Sequence, residues 1–211
     1  PILDFCKIKK IKEIFLASSS EVYQNAPIYP TDEKVRLIIP DPHNPRFSYS
    51  STKIISEILI LNSDIFKKAI IFRPHNIYGP DMGFKHVIPE LIIKTIKEKK
   101  FLDIQGNGKN KRSFCYIEDF VDAFNIIIKK GKHKEIYNIG NTEEVKISHL
   151  SKLIISLLNK DLKIKLSTKP FYNAMRRLPD IKKLNKLGYK PKINLKKGLR
   201  VTIDWYKHNH K

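Results

Sequence analysis

Tyr49 and Lys53 are the two residues of this sequence whose types and spacing most suggest catalysis. Side chains four positions apart on a helix lie on the same face, so this spacing would place a phenol beside an ammonium. A nearby positive charge favours an ionised phenol. A phenolate can take the proton of an alcohol while a hydride leaves the carbon that carries the oxygen. The alternative is structural: one packed tyrosine and one solvated lysine, a pattern that chance often supplies.

Small hydroxyl residues and one acid precede this pair. Ser18 and Ser19 follow Glu13–Ala17, a short apolar run typical of a buried parallel strand. Open α/β sheets bind their ligands at the carboxyl ends of such strands. A serine hydroxyl at this position could therefore hold the alcohol oxygen, and Glu21 adds a carboxylate close by.

The elements that must position these residues follow from the pattern of the rest of the chain. Residues 1–11 and 49–63 predict helices, residues 68–72 predict a second buried strand, and residues 24–48, with five prolines, predict a long irregular loop. Beyond Pro80 the pattern predicts helices at 87–99, 118–130, 148–159 and 195–208, strands at 101–105, 112–117, 135–139 and 162–167, and an irregular segment at 171–178. This alternation favours an α/β fold with a partly parallel sheet.

Six motifs, in order, resemble those of the NAD-dependent epimerase/dehydratase family, which are extended short-chain dehydrogenases/reductases acting on nucleotide sugars. The motifs are LASSSEVY (16–23), YSSTK (49–53), FRPHNIYGP (72–80), RSFCYIED (112–119), YNIGN (137–141) and RRLPD (176–180). Each is weak alone, but their order and spacing cover nearly the whole chain. The resemblance implies an incomplete Rossmann-like, doubly wound sheet with a smaller C-terminal α/β substrate-binding region.

The resemblance also implies roles around an NAD cofactor. Tyr49 would be the catalytic base, and Lys53 would favour its ionised form and hold the nicotinamide ribose. Ser19 matches the residue that hydrogen-bonds the sugar hydroxyl. Ser18 would support the cofactor site through its backbone, or would simply be a small residue at a tight strand exit. Pro74 and His75 lie where the family's loop passes the nicotinamide, although His75 could also only fill that loop.

Four further residues match positions that bind a nucleotide-diphosphate sugar in the family. Asn76 matches an amide that binds the diphosphate, and Arg112 and Arg177 match the two arginines that grip it. Guanidinium forks suit phosphate oxygens better than ammonium groups do, and the alternative for each arginine is a surface salt bridge. Gln105 would lie near the nucleotide base.

Glu21 bears on the type of reaction. Family members that dehydrate the sugar carry an Asp-Glu pair after the Ser/Thr, whereas this chain has Ser20 before Glu21. This Ser-Glu pair is closer to that of decarboxylating members, although many epimerases also carry Glu here, and it disfavours dehydration. The segment RPHNIYGP (73–80) followed by Asp81-Met82-Gly83 resembles epimerase-like members. The resemblance therefore implies an epimerase-type reaction through a 4-keto intermediate, with Glu21 among the catalytic residues. A decarboxylase or a reductase of the same family is the alternative.

The sequence shows no G-x-x-G-x-x-G turn between a strand and a helix, the usual cradle for the cofactor pyrophosphate. We therefore expect residues 1–80 to be the C-terminal part of an NAD-binding domain that carries the catalytic residues. Residues 81–211 should form mainly a substrate-binding region, with some segments that return to the NAD-binding domain. This interpretation predicts a truncated chain that binds NAD weakly, and an inactive fragment is a further alternative. The family also implies a homodimer, through helices that include that of Tyr49.

Composition disfavours several other classes of function, with a basic nucleic-acid binder as the remaining alternative. The net charge is +20, but only seven of the 41 basic residues are arginine and the lysines are dispersed. This favours a solvated surface over a nucleic-acid interface, which usually carries arginines and interleaved aromatics. The apolar runs are too short to span a bilayer. The two cysteines offer neither a disulfide framework nor a metal-ligand cluster. We therefore expect a cytoplasmic protein without metal, membrane or nucleic-acid partners.

Overall fold

A computed structural model describes residues 1–167 and 176–209 of the protein. Within these ranges the helices are α1 (Ile2–Ile8), α2 (Ser48–Leu61), α3 (Val87–Lys97), α4 (Ile117–Lys130), α5 (Ile147–Leu157), α6 (Lys182–Asn185) and α7 (Leu195–Asn209). The strands are β1 (Glu13–Ala17), β2 (Lys68–Pro74), β3 (Ile77–Tyr78), β4 (Phe101–Ile104), β5 (Lys111–Ser113), β6 (Cys115–Tyr116), β7 (Glu135–Ile139), β8 (Glu144–Lys146), β9 (Lys163–Leu166) and β10 (Arg176–Arg177). Two single turns of 3₁₀ helix, Ser20–Tyr23 and Pro45–Phe47, complete the regular structure of these ranges.

The first sheet is parallel and has the strand order β1-β2-β7. The middle strand, β2, is buried from Ala69 through Arg73, as its continuous apolar sequence predicts. Ala17 pairs with Phe72, and Arg73 pairs with Asn138, so the carboxyl ends of all three strands lie along one edge. The predicted α/β class is confirmed, and this edge is where the candidate site lies.

The remaining strands are short and surround a second hydrophobic core. β4 and β9 pair in parallel, β5 lies between β10 and β8, and β3 pairs with β6. Residues from α3, α5 and α7 fill the core between them, including Ile92, Leu150 and Leu199, all fully buried. β7 lies beyond residue 80 and joins the first sheet, while the division of the chain at residue 80 stays a prediction.

The structure corrects two sequence predictions. The predicted strand at 112–117 is two strands, because β5 pairs with β8 and β10 whereas β6 pairs with β3, and Ile117 already begins α4. Phe114, between the two strands, packs against Tyr78 with the ring centroids 6.2 Å apart. Of the predicted irregular segment at 171–178, residues 171–175 lie outside the described residues, and Arg176–Arg177 form β10 beside β5. A strand of two residues has no periodicity to detect, and its pairing partner lies more than 60 residues earlier in the chain.

The predicted loop at 24–48 is irregular apart from the turn at Pro45–Phe47, and it crosses the edge of the first sheet. Thr31 forms an isolated bridge with Pro179, with its backbone amide 2.8 Å from the Leu178 carbonyl oxygen. Glu33 accepts a hydrogen bond from the backbone amide of Asn138 at 2.8 Å. These contacts fix the loop above the site. Among the described residues, no helix is long and apolar enough to cross a membrane.

Candidate active site

Helix α2 positions the predicted catalytic pair, Tyr49 and Lys53, over the end of β1. Lys53 Nζ donates to the carbonyl oxygen of Ala17 at 2.8 Å and lies 5.6 Å from the centroid of the Tyr49 ring. The side chain of Tyr49 remains 53% exposed. One lysine thus ties the helix to the strand end and places its positive charge against the face of the tyrosine ring.

The two predicted serines point in different directions. Ser19 has an extended backbone (φ −157°) and caps the 3₁₀ turn, and its side-chain oxygen accepts from the Glu21 amide at 3.1 Å. Ser18 is buried and its hydroxyl donates to Glu57. Because Ser18 bonds into the protein interior, the structure gives its side chain a packing contact, while Ser19 faces a cleft.

Most of the other predicted site residues line two adjoining clefts. The tyrosine cleft is lined by Ser19 and Tyr49, with Pro74, Asn76 and Arg177 among its other residues. The arginine cleft has a volume of about 330 Å³, and its lining residues include Gln105 and Arg112. Glu21, Asn76 and Arg177 line both clefts, so a ligand could extend from one into the other.

Arg112 and Arg177, which line the arginine cleft, come from adjacent strands. β10 pairs with β5 so that Arg177 is the register partner of Arg112. Arg177 forms a two-point ion pair with Glu21, with Nη2 2.7 Å from Oε2 and Nη1 bonded to Oε1. Arg112 is 6% exposed and donates through Nη1 to the Lys111 carbonyl at 2.8 Å. Burial, and secondly the charge of Arg177, lower the pKa of Arg112 to about 10.

Sequence reasoning missed a buried polar network beneath the tyrosine cleft. Glu57 forms a two-point ion pair with Arg73, at 2.9 Å from Oε1 to Nε and 2.5 Å from Oε2 to Nη2. Arg73 Nη1 also donates to the Tyr23 hydroxyl at 2.7 Å, and that hydroxyl donates to Asn138 Oδ1 at 2.8 Å. The available signal was an acid and an arginine within otherwise apolar stretches of α2 and β2. Buried charges of this kind need partners.

His75 belongs to this network. It is 2% exposed, its Nε2 lies 3.1 Å from Asn138 Oδ1, and its ring stacks at a tilt against Tyr23 with the centroids 5.8 Å apart. Burial lowers the pKa of His75 to about 3. The structure thus turns this side chain into the interior. Of the two interpretations of His75, the geometry favours the packing role over contact with a cofactor.

The neutral state of His75 predicts a loss of stability in mild acid. The pKa falls from 6.5 to about 3 on folding, so the unfolded chain binds the extra proton and stability decreases as pH falls below 6.5. Between pH 6.5 and pH 5 we expect this residue to contribute a loss of about 1.5 kcal/mol. His75→Gln keeps an amide donor near Asn138 but cannot titrate. Urea unfolding at both pH values should show a smaller loss for the variant, and equal losses would contradict the assignment.

Comparison with known proteins decides the family. The family model described as "NAD dependent epimerase/dehydratase family" matches residues 1–140, which is well over half of the chain. The chain belongs to this family. The predicted resemblance is therefore confirmed, and with it the Rossmann-like α/β fold.

Several curated relatives carry the names of sugar-nucleotide dehydratases. One, from Arabidopsis thaliana, is a trifunctional UDP-glucose 4,6-dehydratase/UDP-4-keto-6-deoxy-D-glucose 3,5-epimerase/UDP-4-keto-L-rhamnose-reductase, 32% identical over 99% of this chain and 31% of its own length. Human dTDP-D-glucose 4,6-dehydratase is 31% identical over 95% of this chain and 58% of its own length. The chain thus spans between about a third and three fifths of these relatives.

Solved structures share the fold over almost the whole chain. A dTDP-glucose 4,6-dehydratase from Bacillus anthracis in complex with NAD matches with a TM-score of 0.81 at 26% identity, covering 99% of this chain and 66% of that one. A UDP-glucose 4-epimerase from Thermotoga maritima with UDP-glucose gives a TM-score of 0.86 at 22% identity, covering 100% of this chain and 68% of that one. The second likeness supports the fold alone.

Proposed function

We propose that this chain carries the catalytic residues of an NAD-dependent enzyme that oxidises C4 of a nucleotide sugar. The observation that carries the proposal is the position of Tyr49 at the end of β1, with Lys53 tied to Ala17 and Ser19 opening into the same cleft. In this arrangement Tyr49 takes the proton of the sugar 4-hydroxyl. The charge of Lys53 favours the phenolate, and Ser19 holds the same oxygen by a hydrogen bond.

The tyrosine cleft fits the nicotinamide end of NAD. Lys53 lies behind Tyr49 and does not itself line the cleft, but its ammonium carries three N–H donors, of which the Ala17 carbonyl takes one, so donors remain for ribose hydroxyls. Pro74 lines the same cleft and would border the ring. NAD, when bound, supplies an acceptor for the hydride that leaves C4. Weak binding of NAD by this chain stays a prediction, and a fluorescence titration with reduced cofactor tests it.

The arginine cleft fits the diphosphate of the substrate. Arg112 and Arg177 lie side by side on adjacent strands, and paired guanidinium groups suit phosphate oxygens. Asn76 Nδ2 donates to the Ser113 carbonyl at 2.9 Å, which orients its amide at the junction of the two clefts. Gln105 lines the arginine cleft and is our candidate contact for the nucleotide base.

The later steps distinguish two candidate reactions. The names of two curated relatives that are at least 30% identical favour 4,6-dehydration over the predicted epimerase type. One specific observation favours epimerisation: Ser20 lines the tyrosine cleft at the position where dehydrating members carry an acid, and a serine hydroxyl does not replace a carboxyl group as an acid. Both reactions begin with the same oxidation at C4, and Tyr49 has the same role in each.

Product analysis distinguishes these reactions. The full natural protein with NAD is incubated separately with UDP-glucose, dTDP-glucose, UDP-N-acetylglucosamine and UDP-glucuronate, and the products are identified by NMR. Dehydration gives a 4-keto-6-deoxy sugar, epimerisation inverts C4 without loss of water, and decarboxylation releases carbon dioxide from the glucuronate alone. Failure to convert or oxidise any nucleotide sugar in a wider panel would contradict the proposed function.

A further inference from the structure

One ion pair connects the two clefts. The Glu21 carboxylate bonds both terminal nitrogens of Arg177, and both residues line both clefts. The Arg177 side chain is 14% exposed, whereas that of Glu21 is 40% exposed. The guanidinium is therefore mostly covered by protein, and the carboxylate is the more accessible partner.

The charge around Arg177 explains why an acid is held there. Arg112 is its register partner on the neighbouring parallel strand, which brings two positive groups together. The charge of Arg177 adds to burial in lowering the pKa of Arg112, while the charge of Glu21 acts in the opposite direction. Glu21 therefore supplies negative charge beside the two arginines of the arginine cleft.

We propose that Glu21 occupies the diphosphate position on Arg177 in the ligand-free protein and that the substrate's diphosphate displaces it. This inference rests on the proposed function of the arginine cleft. A diphosphate has more oxygens and more negative charge than one carboxylate, so it can engage both arginines. It could also reach Arg177 Nε, a buried donor without a hydrogen-bond partner.

Displacement gives Glu21 a second state. Once its bonds to Arg177 are broken, the carboxylate stands free at the tyrosine cleft, which it also lines. Its release would then depend on ligand binding, because the ion pair re-forms when the diphosphate leaves. The Glu21 carboxylate thus has two states, paired with Arg177 or released, and a ligand in either cleft can shift the equilibrium between them. Such a shift is the physical basis of coupling between two sites.

The neighbouring residue provides a matched control. Arg176 forms a two-point ion pair with Glu144, at 2.7 Å from Nε to Oε1 and 2.6 Å from Nη2 to Oε2. Arg176 lies beside Arg177 on β10 and Glu144 begins β8, and neither residue lines either cleft. Glu144→Gln therefore removes the same charge from an equivalent pair outside the proposed site.

Calorimetric titration with UDP tests the inference directly. Glu21→Gln removes the competitor of the diphosphate, so we expect UDP to bind about three- to tenfold more tightly than to the wild type. The same variant should unfold at a lower temperature without ligand, because it leaves Arg177 without its carboxylate. Glu144→Gln should bind UDP as the wild type does, and Arg177→Met should bind it much more weakly.

The outcomes separate this inference from the proposed function. If Arg177→Met weakens the binding of UDP but Glu21→Gln leaves it unchanged or weakens it, the arginine cleft binds diphosphates and the inference that Glu21 is displaced is wrong. If neither the wild type nor Glu21→Gln binds UDP, dTDP or pyrophosphate, both proposals fail. Glu21→Asp serves if the Gln variant does not fold, since its shorter side chain weakens the pair; it should also bind UDP more tightly, and unchanged or weaker binding would contradict the displacement.

Discussion

Replacing Tyr49 by Phe is expected to lower the rate of sugar oxidation by about 10²–10⁴-fold, the usual contribution of a positioned general base. The substitution removes only the phenol oxygen. The side chain is half exposed, so stability and nucleotide binding should change little. The measurement is the single-turnover rate of cofactor reduction by the nucleotide sugar that the protein converts, together with calorimetric affinity for UDP.

Tyr29→Phe is the matched control for this variant. Tyr29 is partly buried and its ring lies under Arg176, 5.1 Å from the guanidinium carbon, and it lines neither cleft. Removal of the Tyr29 hydroxyl should leave the rate of oxidation close to that of the wild type. A near-normal rate of oxidation in Tyr49→Phe, or an equal loss of rate in Tyr29→Phe, would contradict the catalytic role of Tyr49.

Glu57→Gln is expected to destabilise the fold by about 3–5 kcal/mol, the cost of leaving one charge of a buried pair without its partner. The side chains of Arg73 and Glu57 are only 2% and 4% exposed. Burial opposes the charge of Arg73, but its bonds with Glu57 and Tyr23 raise its pKa above that of a free arginine. Without the carboxylate, Arg73 would stay charged in a dry environment. Urea denaturation measures the free energy of unfolding.

Two further variants separate the lost ion pair from other effects. Glu90→Gln removes the acid of a pair with Lys94 whose side chains are both 37% exposed, and should cost less than about 0.5 kcal/mol. Glu57→Met combined with Arg73→Met removes both charges and should be more stable than Glu57→Gln alone. If the double variant were the less stable one, the buried charge would not be the cause.

The network of Glu57 also bears on the site above it. Glu57 lies one turn after Lys53 on α2, and Arg73 belongs to the strand that pairs with β1. The pair therefore fixes the helix that carries Tyr49 against β2, and the bond from Ser18 to Glu57 joins the same helix to the end of β1. Loss of the Glu57–Arg73 pair should therefore make the position of Tyr49 less well defined and also lower the free energy of unfolding.

Local pattern was enough to predict the main elements. The bounds of β1 and β7 agree with the prediction to the residue, because each is a short apolar run between polar segments. The motif order also identified the family correctly. These signals depend on residues close together in the sequence, which is where pattern analysis is strongest.

Contacts between distant residues were not predictable in the same way. Glu21 meets Arg177 across 156 positions, and Tyr23 meets Asn138 across 115. Nothing in a local window indicates that Arg177 would pair with an acid instead of standing open for a phosphate. The direction of the His75 side chain likewise follows from packing against Tyr23, which belongs to another element.

The most direct test of the account is a single-turnover measurement with a nucleotide sugar that carries deuterium at C4. The central claim is that Tyr49 and Ser19 hold the 4-hydroxyl while the hydride leaves C4. Absorbance of the reduced cofactor should then rise more slowly than with the unlabelled sugar, and deuterium at C3 should not cause this slowing. Equal rates for the C4-labelled and unlabelled sugars, with slowing by a label at another carbon, would contradict the account.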